Sequence, residues 1–290
     1  MKAPESGGRS GEILTFDTMS IKPEGHSVPV ENTRFRSSCL DRDVYVDYYL
    51  PPGLEPGIPA GLLLINDGQD LDKMHFGHLL GRLYKEGHLR PLICVGIHAG
   101  LDRRMEYGTQ HRPDYKERGA RAPQYTAFIT QELLPRILHE FPDTPIPDRA
   151  IAGFSLGGLS ALDIAWNQAG VFSRVGVFSG SLWWRSRDQN DPKYDDDRHR
   201  IMHQQIRNGS PVPGLRFYLQ CGSLDETKDR NHNGIIDSVD DTIDLVNELV
   251  RKGYDRDRDI VFTELKDGRH DIYTWGRAMP AFLKWGWQPE

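Results

Sequence analysis

The sequence predicts an α/β fold in which a mostly parallel central sheet carries helices on both faces. After Pro59, short continuous apolar runs alternate with segments whose apolar residues recur at helical spacing. This alternation is typical of parallel strands that are buried on both faces. Before Pro59, the apolar residues Val44, Val46, Tyr48 and Leu50 occupy every second position, which is typical of antiparallel strands.

The predicted elements follow one another in a regular order. Residues 1–10 are predicted as a disordered arm, and residues 13–23 and 27–50 as extended segments before a turn-rich break at 51–59. The predicted strands then span residues 62–65, 92–97, 150–153, 175–178, 216–221 and 260–265. The predicted helices span residues 74–85, 125–141, 156–169, 239–252 and about 273–285.

Antiparallel strands followed by such a series predict the sheet of an α/β-hydrolase, formed by a single domain over residues 11–290. Residues 183–213, which are rich in Asp, Arg, His and Gln, interrupt the series. We predict that they form a small cap over the C-terminal edge of the sheet. The alternative is a solvated, charged excursion that takes no part in binding.

The composition argues against several classes of protein. With 290 residues, of which 38% are hydrophobic and 27% charged, the chain matches soluble globular proteins. No apolar run approaches the roughly 20 residues that a membrane-spanning helix needs. The net charge of −6 provides no basic surface for nucleic acid. We therefore expect neither a membrane nor a nucleic acid as partner, and the oligomeric state stays open.

Cysteine usage and the N-terminus bear on the compartment. The three cysteines cannot all pair, and Cys94 and Cys221 lie in apolar, strand-like runs where buried free thiols are expected. The first residues lack the apolar core of a signal peptide. These features favour a cytoplasmic protein, although an exported protein whose signal peptide had been removed would look the same.

One motif points to nucleophilic chemistry. Gly153, Ser155 and Gly157 form a Gly-x-Ser-x-Gly pattern between a predicted strand and a predicted helix. Glycines on both sides allow a sharp turn that lifts the serine hydroxyl above the sheet and places it at a helix N-terminus. Ser155 is therefore the candidate nucleophile. The alternative is a glycine-rich turn with an uninvolved serine.

A serine nucleophile needs a general base, and the base needs a carboxylate to orient it. In this fold both partners follow the serine, the acid first and the histidine second, each after a later strand. Asp225 and Glu226 follow the strand at 216–221, and Asp225 is preferred because it lies nearer to the strand end. His270 directly follows the last predicted strand and is the candidate base. Helix capping or surface charge is the alternative role of the acidic pair.

An oxyanion hole needs two N–H donors directed at the charge that develops on the carbonyl oxygen. The Leu156 amide, directly after the nucleophile, is the first candidate. The second is expected in the loop after the strand at 62–65, where Gly68 allows a tight backbone. We assign the Gln69 amide, with the Gly68 amide as the alternative. A glycine turn without catalytic use would have the same sequence.

Five motifs occur in order along the chain, namely INDGQ at 65–69, RRMEY at 103–107, QELLPRI at 131–137, GFSLGG at 153–158 and GRH at 268–270. Taken together, they resemble the Putative esterase family of the α/β-hydrolase superfamily. This family holds enterochelin esterases, feruloyl and acetyl-xylan esterases, S-formylglutathione hydrolase and the mycolyltransferases. The resemblance covers about residues 43–287 and implies a serine carboxylesterase mechanism. By this resemblance, Ser155 matches the nucleophile, Asp225 the acid and His270 the base. Gln69 and Leu156 match the oxyanion donors.

Residues 229–240, DRNHNGIIDSVD, match the twelve-residue calcium-loop pattern, with glycine at position 6 and a helix after the loop. The loop departs from this pattern in two ways. Position 12 is an aspartate instead of the usual glutamate, and no helix is predicted before the loop. The alternative is an Asn-Gly turn followed by a capping box of Ser238 and Asp241. Ester cleavage by a serine nucleophile needs no cofactor, so a Ca²⁺ in this loop would be structural. Its candidate ligands are Asp229, Asn231, Asn233, the Ile235 carbonyl, Asp237 and Asp240.

Three residues are candidates for substrate binding. Trp183 and Trp184 follow the strand after the nucleophile, where one of them is placed to stack on a sugar or an aromatic acyl group. Packing under the cap is the alternative for either. Arg103, after the strand at 92–97, is placed to contact a polar or anionic substrate or to pair with Glu106.

The sequence thus predicts a serine carboxylesterase that acts through an acyl-enzyme on a small-molecule or carbohydrate ester. The residues do not choose between a siderophore lactone, a feruloyl sugar and an acetylated sugar. Two alternatives stay open. An acyltransferase would pass the same acyl group to a sugar, and a non-catalytic binding protein would keep the fold alone. The complete order of serine, acid and histidine argues against the binding protein.

Overall fold

An eight-stranded sheet with an antiparallel edge forms the centre of the molecule. Its strands are β1 (Val30–Ser37), β2 (Arg42–Tyr49), β3 (Gly61–Asn66), β4 (Leu92–Ile97), β5 (Arg149–Phe154), β6 (Arg174–Phe178), β7 (Arg216–Leu224) and β8 (Ile260–Arg269). They lie in the order β1-β2-β4-β3-β5-β6-β7-β8. β2 pairs antiparallel with both β1 and β4, and every other pair is parallel. The computed structural model describes residues 27–289.

Helices cover both faces of this sheet. Within residues 27–289 the α-helices are α1 (Phe76–Lys85), α2 (Arg103–Glu106), α3 (Ala122–Ala127), α4 (Leu134–Glu140), α5 (Leu156–Asn167), α6 (Asp196–His199), α7 (Ile201–Asn208), α8 (Asp237–Arg251) and α9 (Ile272–Trp287). A π-helical turn, Phe128–Leu133, joins α3 to α4. None of these helices is long and apolar enough to cross a membrane.

The apolar core lies on the two sides of the sheet because successive side chains of a strand point to opposite faces. In β3, Leu62 and Leu64 belong to the apolar cluster that includes α5, α7 and α8, whereas Leu63 and Ile65 belong to the cluster that includes α1 and α9. All residues of β3 and β4 are buried. This burial on both faces explains why these strands are continuous apolar runs in the sequence.

The predicted α/β fold with a mostly parallel sheet is confirmed. The six predicted parallel strands all form, and residues 27–50 contain the antiparallel pair β1 and β2. The predicted arm at 1–10 and the extended segment at 13–23 lie outside the described residues. Cys94 and Cys221 are buried free thiols, as expected.

The segment 183–213 contains two short helices that the sequence did not predict. α6 has only four residues, and its N-terminus is capped by the Asp195 side chain, which accepts a hydrogen bond from the Arg198 amide. α7 buries Ile201, Met202 and Ile206 and packs against α5 and α8. So few apolar residues give too short a pattern to distinguish a helix from a loop. The domain boundaries and the cap function of this segment stay predictions.

Candidate active site

Ser155 lies in a strained turn between β5 and α5. Its φ of 53° and ψ of −119° are a backbone conformation that L side chains rarely adopt. The Ser155 amide donates to the Phe178 carbonyl at 2.8 Å, and the Ser155 carbonyl accepts from the Ser181 amide at 3.0 Å. A Cβ atom at Gly153 would lie 2.4 Å from the Gly157 carbonyl oxygen. The glycine pattern therefore reflects a backbone contact that leaves no room for a side chain.

Asp225 follows β7 and is half-buried. Its Oδ2 accepts a hydrogen bond from the Gly222 amide at 3.0 Å. Its Oδ1 is buried and has no hydrogen-bond partner within residues 27–289. Burial raises the pKa of the Asp225 carboxyl, against the opposing effects of the Gly222 amide, the Ser179 hydroxyl and His270. The carboxylate therefore keeps one oxygen free to accept a hydrogen bond.

His270 follows β8, at the same edge of the sheet where β5 and β7 end. Burial lowers the pKa of His270, the carboxylates of Asp225 and Asp271 raise it, and the Arg103 guanidinium lowers it. The net direction is downward, which favours the neutral ring that a general base needs. No hydrogen bond joins the ring to Ser155 or to Asp225 in the part of the chain that the structure describes.

Glu226, the other candidate acid, lies in different surroundings. Burial raises the pKa of Glu226, and the carboxylates of Asp237 and Asp241 on α8 raise it further. The carboxylates that act on the pKa of His270 are instead those of Asp225 and Asp271. Asp225 is thus the candidate acid that lies near the histidine, and Glu226 faces α8.

The two predicted oxyanion donors lie in the first turns of helical segments. Leu156 begins α5, and Gln69 lies in the 3₁₀ turn Gly68–Asp70 that follows β3. The first amides of a helix have no acceptor within the helix, so both N–H groups are available to a substrate. Gln69 is exposed, and its Oε1 accepts a hydrogen bond from the Ala99 amide at 3.0 Å.

A largely buried ion pair holds the residue directly before this turn. Arg103 donates from Nε and Nη2 to the two carboxylate oxygens of Asp67, at 2.6 and 2.7 Å. The Asp67 amide donates to the Tyr107 hydroxyl at 3.3 Å, and the Arg103 guanidinium lies 5.0 Å from the centre of the Tyr107 ring. Asp67 has a φ of 63°. These contacts fix a left-handed backbone conformation that a non-glycine residue adopts only with such support.

The predicted alternative that Arg103 pairs with Glu106 is wrong. Glu106 is fully buried and accepts hydrogen bonds from Arg42 of β2 at 2.8 and 2.7 Å. Arg103 and Glu106 are three residues apart on one helix and are close enough to pair. Each instead forms a bidentate pair with a residue of another segment.

The two adjacent tryptophans differ in exposure. Trp184 is 0% exposed and packs so closely on Gly108 that a Cβ atom there would lie 2.9 Å from its ring. The prediction that Trp184 contacts a substrate is therefore wrong, because the ring belongs to the core. Trp183 is half-buried, with the guanidinium groups of Arg118 and Arg185 at 5.0 and 5.7 Å from its ring centre. Its role in substrate binding stays a prediction.

Trp275 of α9, which the sequence analysis missed, contacts several parts of the candidate site. Its Nε1 donates to the Ser179 hydroxyl at 2.9 Å, and its ring meets the His270 ring edge-on at 5.3 Å. It also stacks on Phe154, directly before the nucleophile, at 5.1 Å. One indication of these contacts was present in the sequence, because Ser179 directly follows the predicted strand at 175–178.

The loop at 229–240 draws several of its predicted ligands together. Asp229 accepts hydrogen bonds from the Asn233 and Gly234 amides at 3.1 and 2.9 Å. The side-chain amides of Asn231 and Asn233 both donate to Oδ2 of Asp240, at 2.6 and 3.2 Å. Across residues 27–289, no three or more His, Cys, Asp or Glu side chains form a group that could hold a metal ion.

The predicted alternative for this loop, a capping box, does not form. α8 begins at Asp237, with Ile236 as its N-cap and no side chain in the capping position. The Asp237 carboxylate accepts from the Arg230 amide at 2.8 Å and pairs with the Arg230 guanidinium at 3.3 Å. Asp241 pairs with Arg200 and Arg230, so it does not cap the helix.

Comparison with known proteins places the chain in a family. A protein-family model described as Putative esterase matches residues 37–285. The uncharacterized protein YjcH of Bacillus subtilis (strain 168) is 22% identical over 257 residues, which make up 88% of this chain and 96% of YjcH.

Two solved structures share the fold. The enterochelin esterase of Shigella flexneri superposes with a TM-score of 0.70 and 21% identity, over 92% of this chain and 60% of that chain. A ferulic acid esterase superposes with a TM-score of 0.65 and 19% identity, over 90% of this chain and 98% of that chain. The predicted α/β-hydrolase fold is thereby confirmed. This chain spans about 60% of the length of the Shigella protein.

The pair of Asp67 and Arg103 predicts a split between turnover and binding. If the pair positions the oxyanion turn, Arg103→Lys should lower kcat for p-nitrophenyl acetate by about tenfold, with little change in KM. This loss is smaller than the roughly 10² to 10³ that follows the complete loss of an oxyanion donor, because the donor is displaced and not removed. Arg103→Met should in addition shift the acid limb of the kcat/KM profile to higher pH, because the Arg103 charge lowers the pKa of His270.

A double-mutant cycle is the control for this prediction. Asp67→Asn and Arg103→Met should together cost much less than the sum of their separate effects, because each removes the same contact. Additive losses, or a rise in KM at constant kcat for Arg103→Lys, would instead assign Arg103 to substrate binding.

Proposed function

The chain belongs to the Putative esterase family, and we propose that it is a serine carboxylesterase whose catalytic triad is Ser155, Asp225 and His270. One observation carries this proposal. The strained Ser155 turn lies at the N-terminus of α5, and the acid and the histidine follow β7 and β8 at the same edge of the sheet. The lowered pKa of His270 and its electrostatic link to Asp225 support the assignment.

In the proposed mechanism the Ser155 hydroxyl attacks the ester carbonyl while His270 accepts its proton and then transfers it to the leaving alcohol. Asp225 orients the imidazole and stabilises its charged form; the buried Oδ1, which lacks a partner, is the available acceptor. The Leu156 and Gln69 amides bind the oxyanion. Water then hydrolyses the acyl-enzyme by the same steps in reverse order. Catalytic hydrogen bonds are often long without substrate and tighten when it binds.

For the substrate we propose a carboxylic ester of a siderophore lactone or of a feruloyl or acetyl sugar. The enterochelin esterase and the ferulic acid esterase with the same fold support this range. The oxyanion loop, which reads DGQD at 67–70, resembles the siderophore and carbohydrate-ester branches. In the S-formylglutathione branch we would expect a cysteine in this region.

Loss of the triad residues should abolish turnover while the fold remains. Ser155→Ala and His270→Ala should each lower kcat by up to about 10⁶, the scale seen when a serine triad is broken. The measurement is the steady-state hydrolysis of p-nitrophenyl acetate, with circular dichroism as the check on folding. Activity that persists in Ser155→Ala would contradict the nucleophile, and a wild type without activity on any ester would favour a binding protein.

Two variants separate the candidate acids. Asp225→Asn should lower kcat by about 10⁴, because an amide cannot hold the imidazole in the required tautomer. Glu226→Gln is the matched control and should retain most of the activity, since Glu226 faces α8. The opposite result would assign the acid to Glu226.

A substrate panel separates hydrolysis from acyl transfer. Feruloyl, acetyl, aryl and siderophore esters should be tested with wild type and Ser155→Ala, with and without a sugar acceptor. For a hydrolase, the free acid should be the main product even when the acceptor is in excess. An acylated sugar as the main product would make the protein a transferase that uses the same acyl-enzyme.

We propose further that the loop at 229–240 binds a structural Ca²⁺. The support is the convergence of four side chains at positions 1, 3, 5 and 12, namely Asp229, Asn231, Asn233 and Asp240. The Ile235 carbonyl would complete this set, and Asp237 would have to leave its Arg230 contacts to join it. Rotation of an asparagine amide exchanges its oxygen and nitrogen, so Asn231 and Asn233 can present oxygen to the ion.

Calcium should then stabilise the protein in proportion to the occupancy of this loop. Binding to the folded state alone adds RT ln(1 + [L]/Kd), about 2.7 kcal/mol at a hundredfold excess over Kd, and raises Tm. Asp229→Ala should remove the difference in Tm between millimolar calcium and chelator. Asp257→Ala, at an exposed site elsewhere, should keep it. Identical melting curves of the wild type with calcium and with chelator would contradict calcium binding.

A further inference from the structure

A cleft separate from the candidate active site, called the second cleft below, lies away from the proposed catalytic residues. It has a volume of about 380 Å³ and lies between the loop at Arg112 and the helices α6 and α7. Gln205, which lines it, donates to Asp163 of α5 at 2.9 Å. Asp163 is eight residues beyond Ser155, so at about 1.5 Å per residue the two lie about 12 Å apart along the helix. The cleft and the ester site share no residue named for catalysis.

The lining of this cleft is rich in hydrogen-bond donors and contains no carboxylate. Two guanidinium groups, two imidazoles and three side-chain amides line it, with Ile201 as the one large apolar side chain. Arg112 and Arg198 come from different segments and form no ion pair with any carboxylate of residues 27–289. This arrangement places uncompensated positive charge on two sides of the cleft.

The backbone on both sides of the cleft is held in place. The Arg112 carbonyl accepts a hydrogen bond from the Thr109 hydroxyl at 2.7 Å. The Arg198 amide donates to Oδ1 of Asp195 at 3.1 Å, which caps the N-terminus of the short helix α6. The two arginines therefore line the same cleft from backbone positions that are held by hydrogen bonds.

The carboxylates beside the cleft have other partners. Asp163 accepts from the Gln110 amide at 2.9 Å and from Asn167 and Gln205 at 3.0 and 2.9 Å. Asp197 pairs with Arg207 at 2.8 Å, and Asp195 accepts from the Arg198 amide. Within residues 27–289, none of these carboxylates forms an ion pair with the side chain of either arginine.

We propose that this cleft binds a small polar molecule that carries an oxyanion, such as a phosphate, sulfate or carboxylate group. Guanidinium groups bind such anions through paired N–H donors. A volume of about 380 Å³ lies near the lower end of ligand sites, roughly 300 to 1,000 Å³. On this proposal the segment 183–213 has a binding role.

Isothermal titration at low ionic strength tests the proposal with three probes, inorganic phosphate, glucuronate and glucose. Wild type should bind at least one anion, and Arg112→Gln/Arg198→Gln should weaken its Kd at least tenfold. Both arginines are exposed, so the double variant should fold. Arg256→Gln, which removes an exposed arginine outside the cleft, is the matched control and should leave Kd unchanged. Ser155→Ala should also leave Kd unchanged.

The probes distinguish the sources of the anion. Binding of phosphate without glucuronate supports a phosphate or sulfate ester as the ligand, and the reverse supports a sugar acid. Equal losses in Arg256→Gln and the double variant would show general attraction of anions and overturn the proposal. It is also overturned if wild type binds neither anion, or binds glucose as tightly as glucuronate.

Discussion

β5 and α5 meet at the nucleophile turn so closely that a Cβ atom at Gly153 would lie 2.4 Å from the Gly157 carbonyl oxygen. This contact requires the φ of 53° at Ser155, a conformation that costs about 1 to 3 kcal/mol for a non-glycine residue. Hydrogen bonds to the Phe178 carbonyl and from the Ser181 amide offset that strain. They also tie the turn to the end of β6 and to the segment beyond it. The remainder of the candidate site is arranged around a hydroxyl group whose position the backbone dictates.

Charge pairs fix the other side of the site. The four-residue helix α2 carries Arg103, which pairs with Asp67 before the oxyanion turn, and Glu106, which pairs with Arg42 of β2. A buried carboxylate that loses its partner costs about 3 to 5 kcal/mol, so both pairs strongly constrain where α2 lies. Bidentate geometry adds direction to this constraint. α2 thereby connects the antiparallel edge of the sheet to the turn that supplies an oxyanion donor.

Features that depend on a local residue pattern could be predicted from the sequence. Contacts between residues that are far apart in the chain could not. The parallel strands and the Ser155 turn were readable because burial on both faces and sharp turns each demand particular residue types. The partner of Glu106 was not readable, since Arg42 lies 64 positions away and Arg103 is an equally good partner by spacing. The burial of Trp184 likewise depends on the closeness of Gly108, to which no local pattern points.

The segment 183–213 shows why charged composition alone misleads. Its many charges left a solvated excursion open as the alternative to a cap, yet the Arg200 side chain is 4% exposed and pairs with Asp241 of α8, which is 1% exposed. Arg230, in the loop at 229–240, pairs with Asp196 of α6 and also with Asp241. Directional ion pairs, more than apolar contact, therefore set the position of α6 against α8. Through these ion pairs Arg230 ties the loop at 229–240 to α6 and so to the segment that forms part of the second cleft.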